Sequence, residues 1–323
     1  MKLRTWVWVA AIALVAGLVG FRGMGNIGVT RGGSMATDRS AVVPVRATQV
    51  DGLETRTINV GGLDRTYSLY VPKNLRGTRA PLVIAFHGGG GNALPFASRI
   101  GAREMADRDG FVLALPEGVQ ESWNTGSIDP QGYAEENGID DLAFVAQMLD
   151  DILAEGIADS SKVYAMGMSR GGMMVYTVAC GLPGRFAAIA AVAGTLSSGS
   201  CANPEGVSLL HIHGTEDDRV PFEGGHGKST PRGQEWASAR AGILTFAQNA
   251  QCSPDWQSQQ VTPDTLCNRA ACPGSDEVEY CLIEGGGHGW PGAETTRRQR
   301  AQGASSSSSF NATDYIAAFF LEH

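Results

Sequence analysis

The sequence has no block of basic residues: 25 Lys and Arg stand against 33 Asp and Glu, for a formal net charge of −8. That balance argues against nucleic acid or an anionic membrane surface as a partner. No two cysteines have the Cys-x2-Cys spacing of a structural zinc site, so no metal is expected. No cysteine lies near the N-terminus, which leaves lipid attachment there without an acceptor. The glycine run Gly88 to Gly91 lacks the Lys-Ser/Thr ending of a phosphate-cradling P-loop.

What is present begins with Lys2 and Arg4, followed by an uncharged stretch from Thr5 to Phe21. A basic head and an apolar run slightly shorter than the about 20 residues of a membrane span read as a secretory signal over residues 1–21. An uncleaved anchor is the alternative, and it is the one route to a membrane that the sequence offers. Residues 22–50 shift to Gly, Ser, Thr and Arg without periodicity, as a flexible linker does. Residues 51–323 are enough for one large α/β catalytic domain with a sizeable core. Six cysteines, Cys180, Cys201, Cys252, Cys267, Cys272 and Cys281, all fall in the C-terminal half. An even number behind a secretory signal predicts three disulfides formed in an oxidising, extracytoplasmic compartment. The pairing expected is Cys180 with Cys201, Cys252 with Cys281, and Cys267 with Cys272.

Arg56 to Val60 and Thr66 to Val71 alternate polar and apolar residues around Gly61-Gly62, which predicts an antiparallel hairpin. Short continuous apolar runs follow at 82–86, 111–115, 163–166, 187–193, 207–212 and 278–283. Such runs suit strands of a mostly parallel sheet with helices on both faces. Helices are expected over 140–154, 99–109, 233–250 and 313–321. Asp140 and Asp141 are read as caps of the first of these, and Asn311 as the cap of the last. The serine run 305–309 reads as a loop. Only about a dozen residues separate the runs at 187–193 and 207–212, which leaves no room for a large lid. The longest irregular stretch runs instead from Gly214 to Glu277 and is expected to be a disulfide-bound loop walling an open site.

The chemistry converges on Gly167-Met168-Ser169-Arg170-Gly171, between a buried strand and an apolar helix. On such a turn the serine is strained outward, and the amide after it points into the same space at a helix N-terminus. Ser169 is the candidate nucleophile. A serine nucleophile needs a base and a carboxylate to orient it, here in the chain order Ser, acid, His. Asp217, preferred over Glu216 and Asp218, lies just past the run 207–212; His213 itself reads as a structural residue. His288 lies in Gly285-Gly286-Gly287-His288-Gly289-Trp290, after the last run, and is the candidate base. His87-Gly88-Gly89-Gly90-Gly91-Asn92 offers amides to an oxyanion; Gly88 and Gly89 are favoured, with Arg170 as the second donor. Trp123 and Trp290 are candidate substrate-binding faces.

These segments, with Tyr67 to Pro72, Trp123-Asn124 and Gly126, Asp140-Asp141 and Phe144, Gly167 to Met174, His213 to Pro221 and Gly286 to Gly292, resemble a family of secreted esterases. It includes polyhydroxybutyrate depolymerases, feruloyl and acetylxylan esterases of carbohydrate esterase family 1, and a mycobacterial-type lipoprotein esterase group. The resemblance implies an α/β-hydrolase fold without a large lid domain, no cofactor, and hydrolysis of carboxylic esters through an acyl-enzyme by Ser169, Asp217 and His288. Small-molecule, oligomeric or polymeric esters of hydroxyalkanoate, feruloyl or acetyl type are the implied substrates. A serine peptidase of the same fold and a catalytically silent binding protein are the alternatives.

Overall fold

In the computed structural model, the described residues are 49–323 except 51, 76, 128, 131, 199–200, 202–203, 205, 231–233, 296–299, 301–304 and 306. The signal or anchor at 1–21 and the linker up to residue 48 lie outside them. Gln49–Val50, expected to end that linker, instead form a short strand, β1, paired antiparallel with β2 (Leu53–Val60).

The remaining strands are β3 (Leu63–Tyr70), β4 (Ala80–Phe86), β5 (Val112–Pro116), β6 (Ala158–Met168), β7 (Ala188–Val192), β8 (Ser208–Gly214), β9 (Gly225–His226), β10 (Glu235–Trp236), β11 (Trp256–Thr262), β12 (Thr265–Ala271) and β13 (Glu277–Ile283). Apart from the small β9–β10 hairpin they form one sheet in the order β1-β2-β3-β5-β4-β6-β7-β8-β13-β12-β11. Its centre, from β5 to β13, is parallel, and antiparallel hairpins flank it on both edges.

The parallel centre follows from burial on both faces. Along β4, Leu82, Ile84 and Phe86 join one core while Val83 and Ala85 join the other, as the two-residue repeat of a strand requires. The first core packs under α4 (Asp141–Ala154), α5 (Arg170–Gly181) and α6 (Ala239–Asn249). The second packs under α1 (Ala93–Arg99), α2 (Ala102–Asp109) and α7 (Ala312–Glu322). A short helix, α3 (Tyr133–Glu136), completes the set among the described residues. This is the α/β-hydrolase arrangement.

Several expectations are corrected here. The helix read over 99–109 is two helices, because Gly101 takes a left-handed φ of 68° between α1 and α2. The helix read from 233 begins at Ala239, where the Ser238 side chain caps it. The stretch from Gly214 to Glu277 is not an irregular loop. It holds β9–β10, α6 and the β11–β12 hairpin, and the exposed polar face of Gln257 to Gln260 gave β11 no apolar pattern to detect.

The disulfides are Cys180–Cys201, Cys252–Cys272 and Cys267–Cys281. The first agrees with expectation, and the other two replace Cys252–Cys281 and Cys267–Cys272. Sheet register explains the exchange: Cys267 and Cys281 face each other across β12 and β13. Ser253 N–H bonds Ala271 O at 2.7 Å, bringing Cys252 beside Cys272. Both bonds therefore staple the sheet edge rather than a loop over the site.

Candidate active site

Ser169 stands between the end of β6 and the start of α5 with φ 57° and ψ −121°, a strained backbone for a residue with a side chain. Its amide is held by Val192 O at 2.8 Å. The turn is so tight that a Cβ on Gly171 would overlap the carbonyl of Phe86, which is why a glycine follows at that spacing. The serine hydroxyl lies 2.9 Å from His288 Nε2. His288 Nδ1 donates to Asp217 Oδ2 at 2.8 Å, so Nε2 is free to accept the serine proton.

Asp217 and His288 arrive on loops leaving the neighbouring strands β8 and β13. The two loops cross at Gly214 and Gly286 with no room for a Cβ on Gly214. Glu216 N–H bonds Gly286 O at 2.8 Å and locks the crossing. Asp217 Oδ1 accepts from the amides of Arg219 at 3.0 Å and Val220 at 2.9 Å. Burial alone would raise this carboxyl, but the facing imidazoles of His288 and His213 outweigh it and hold it well below the usual carboxylate range. The loop of His288 is tied down from outside, since Gly287 N–H bonds Ser305 Oγ at 2.7 Å.

The loop after β4 closes the site from the other side. A Cβ on Gly88 would sit 3.6 Å from Ser169 Cβ, and one on Gly89 would sit 3.4 Å from Arg170 Nε. The amides of Gly90 and Gly91 are engaged by Glu121 O at 2.8 Å and Gly88 O at 3.1 Å. His87 is fully buried and braces the loop. Its Nδ1 donates to Gly88 O at 2.9 Å while Nε2 accepts from Gly118 N–H at 3.0 Å. Burial lowers this imidazole below its ordinary value and favours the neutral ring that such bonding needs.

Residues 65–214 match a family model described as Esterase PHB depolymerase. The chain is 29% identical over 292 residues to NocK of Nocardia uniformis subsp. tsuyamanensis, a protein carrying an esterase name, with 84% of this chain and 83% of that protein covered. It is 28% identical over 229 residues to feruloyl esterase B of Piromyces equi, covering 67% of this chain and 41% of that protein. Among solved structures, an acetyl xylan esterase from Aspergillus awamori superposes with a TM-score of 0.55 at 16% identity, over 76% of this chain and 97% of that one. The chain resembles this esterase family over those residues. Its class is that of a carboxylic ester hydrolase, although it spans less than half the length of the Piromyces enzyme.

In this esterase the two tryptophans are not where sequence reasoning put them. Trp123 is fully buried; its Nε1 donates to His87 O at 2.9 Å and its ring meets Phe86 edge-on. Trp290 is 3% exposed, donates to Thr313 Oγ1 at 2.9 Å and packs edge-on against Phe96. Neither offers a face to a ligand: Trp123 fixes the glycine loop, and Trp290 fixes the chain after His288 to α7. Asp141 is likewise not a cap. Asp140 caps α4, while Asp141 is buried, pairs with Arg65 at 2.6 Å and accepts from Asn124 N–H at 2.6 Å.

Two contributors to the esterase site were missed, and a third, around His213, was read only as structural. Glu135 of α3 pairs with the guanidinium of Arg170 at 2.8 Å, out of solvent, and nothing in its sequence context marks it. Asp264, in the β11–β12 turn, gathers the hydroxyls of Thr262 at 2.6 Å, Ser307 at 2.7 Å and Thr265 at 3.0 Å, together with that of Ser309. It thereby anchors the serine run behind His288. Tyr176, His211 and His213 form a buried hydrogen-bonded file behind Asp217. The His-x-His spacing on a buried strand was the available signal, since residues two apart share one face.

Proposed function

We infer that this esterase cleaves carboxylic esters through an acyl-enzyme, with Ser169 as nucleophile, His288 as general base and acid, and Asp217 as the group that orients His288. The observation that carries the reading is the unbroken file Asp217–His288–Ser169, at 2.8 and 2.9 Å, ending on a strained serine. His288 Nε2 takes the proton from Ser169 Oγ as that oxygen bonds to the ester carbonyl carbon. Asp217 stabilises the imidazolium through Nδ1. The carbonyl oxygen gains the negative charge, which the amides of Gly88, Gly89 and Arg170 receive. Gly90 and Gly91 are already engaged, and the Arg170 amide stands in the first turn of α5, at the positive end of the helix dipole. Each such donor is worth on the order of 3 kcal/mol in the transition state. The imidazolium then protonates the leaving alkoxide, and water repeats the sequence on the acyl-enzyme with the roles reversed.

The substrates proposed are soluble or oligomeric esters of feruloyl, acetyl or hydroxyalkanoate type, in line with relatives named feruloyl and acetylxylan esterases. An extracytoplasmic location is proposed with them, supported by three disulfides and no free cysteine among the described residues. No helix among the described residues is long and apolar enough to cross a membrane.

Rates on p-nitrophenyl esters of increasing chain length, methyl ferulate, acetylated xylan oligomers, hydroxybutyrate oligomers and a peptide panel test the reading. Ester turnover that vanishes in Ser169→Ala is expected. Turnover of peptides alone, or of no ester by folded protein, would replace it with the peptidase or the silent binder.

A further inference from the structure

With both imidazoles neutral, the file behind Asp217 takes one hydrogen-bond direction, read from its far end. His213 Nε2 lies 2.7 Å from Val220 O and 3.4 Å from Asp217 Oδ2. A carbonyl and a carboxylate can only accept, so His213 carries its proton on Nε2. In the neutral ring Nδ1 is then an acceptor, and its partner at 2.9 Å, His211 Nε2, is the donor. His211 Nδ1 in turn accepts from the hydroxyl of Tyr176 at 2.8 Å. Both imidazoles are buried and stacked, with ring centres 5.2 Å apart, and burial drives His211 well below its ordinary value, toward the neutral form.

The file spans two elements that deliver the reacting groups. Tyr176 lies on α5, the helix that Ser169 opens, whereas His211 and His213 lie on β8, whose exit loop carries Asp217. Val220 is also doubly used: its carbonyl accepts from His213 while its amide donates to Asp217 Oδ1 at 2.9 Å. His213 thus holds the peptide that holds the carboxylate, and its N–H faces that carboxylate directly.

We propose that Tyr176, His211 and His213 form a positioning relay that fixes His213 as the Nε2–H tautomer and so sets both the place and the charge sharing of Asp217 against His288. The proposal rests on the Ser169–His288–Asp217 reading. The groups facing His213 are Tyr176 of α5 through His211, Asp217 and the Val220 carbonyl on the exit loop, His288 beyond Asp217, and Phe222, whose ring centre is 5.4 Å away. Arg240 of α6 lies 5.0 Å from the Phe222 ring. Asp217 is therefore the charged group in direct reach. Removing the His213 N–H leaves the full carboxylate charge to the His288 imidazolium, which then forms more readily.

The test compares His213→Leu, which removes the donor, with His213→Gln, whose side-chain amide can place an N–H where Nε2 stands. In His213→Leu, kcat on a p-nitrophenyl ester falls roughly tenfold with KM changed less than about twofold, and the acid limb of kcat/KM moves up by roughly half a pH unit. His213→Gln restores most of both, and Tyr176→Phe lies between. A loss that merely followed a lowered unfolding midpoint would move neither limb nor rescue. An acid limb and kcat unchanged in His213→Leu, or a Gln variant no better than Leu, would overturn the relay. Independently of any variant, imidazole 15N shifts of the wild-type protein at neutral pH should show His211 and His213 both neutral with the proton on Nε2; the opposite tautomer or a cation at either ring refutes the proposal. Asp217→Ala run in parallel separates the two levels. Retention of rate there removes the triad and the relay together, whereas loss there without an effect in His213→Leu removes the relay alone.

Discussion

The guanidinium of Arg170, the residue after Ser169, is held 2.8 Å from the carboxylate of Glu135, with side-chain exposures of 9% and 2%. The Arg170 side chain also lies beside Gly89, on the loop opposite, and its guanidinium reaches Trp123 O at 3.4 Å. One side chain therefore ties the Ser169 turn to α3 and to the glycine loop. A buried pair of this kind need not exceed an apolar substitute in stability, but breaking it strands a charge.

Glu135→Ala is accordingly expected to cost about 3–5 kcal/mol, because the guanidinium loses its counter-charge out of water. Thr125 loses its acceptors in the same change, since its amide and hydroxyl both bond Glu135 Oε1. Urea unfolding of variant and wild type gives the number. A loss below about 1 kcal/mol would mean that the pair behaves like an exposed surface bridge.

The disulfides are expected to map as Cys180–Cys201, Cys252–Cys272 and Cys267–Cys281 in non-reducing peptide analysis. Their sequence separations are 21, 20 and 14 residues, and loops of that size are worth about 3 kcal/mol each on chain-entropy grounds. Reduction should therefore lower the unfolding midpoint sharply. A peptide joining Cys252 to Cys281 would contradict the β12–β13 register.

Trp290→Ala tests whether that ring packs or binds. The indole fills a site between Phe96 and Thr313, and Thr313 Oγ1 passes the contact on to Ile100 O at 2.6 Å. The expected outcome is a loss of about 3–5 kcal/mol in stability with the ranking of acyl chain lengths unchanged. A variant of wild-type stability with an altered ranking would return Trp290 to the cleft.

What could be read from sequence and what could not divide along one physical line. Strands β4, β5, β7 and β8 and the second half of β6 were legible because both their faces are buried, so mainly apolar residues run through each. The convergence of Ser169, Asp217 and His288 was legible because each sits just past such a strand, in an order that nucleophilic chemistry can use. Strand β11 was not, since Gln257 to Gln260 face solvent. Cysteine pairing and the partner of Arg170 depend on register and on contacts across 14 to 35 residues of chain, which local pattern does not encode. The tryptophans misled for the opposite reason: an aromatic next to a catalytic motif is equally suited to bracing the motif, and here both indole N–H groups are bonded inside the protein.

Asp217→Asn joins the stability and the chemistry of the site in one pH experiment. The folded-state carboxyl lies below the ordinary value of about 3.9, because His288 and His213 outweigh the opposing effect of burial. A depressed carboxyl contributes stability that is present above its unfolded value and is lost as pH falls through the folded one. The wild type should therefore exceed the variant by a constant margin at neutral pH, with the margin shrinking once pH drops below about 4. In the same pair, kcat should fall by about 10³–10⁴ in the variant, since an amide N–H facing His288 Nδ1 favours the wrong tautomer. Equilibrium unfolding from pH 2 to 8, with rates on one p-nitrophenyl ester, measures both. A margin that instead grew toward acid would mean that the carboxyl is raised by its burial, and that the N–H groups of His288 and His213 facing it do not offset that effect.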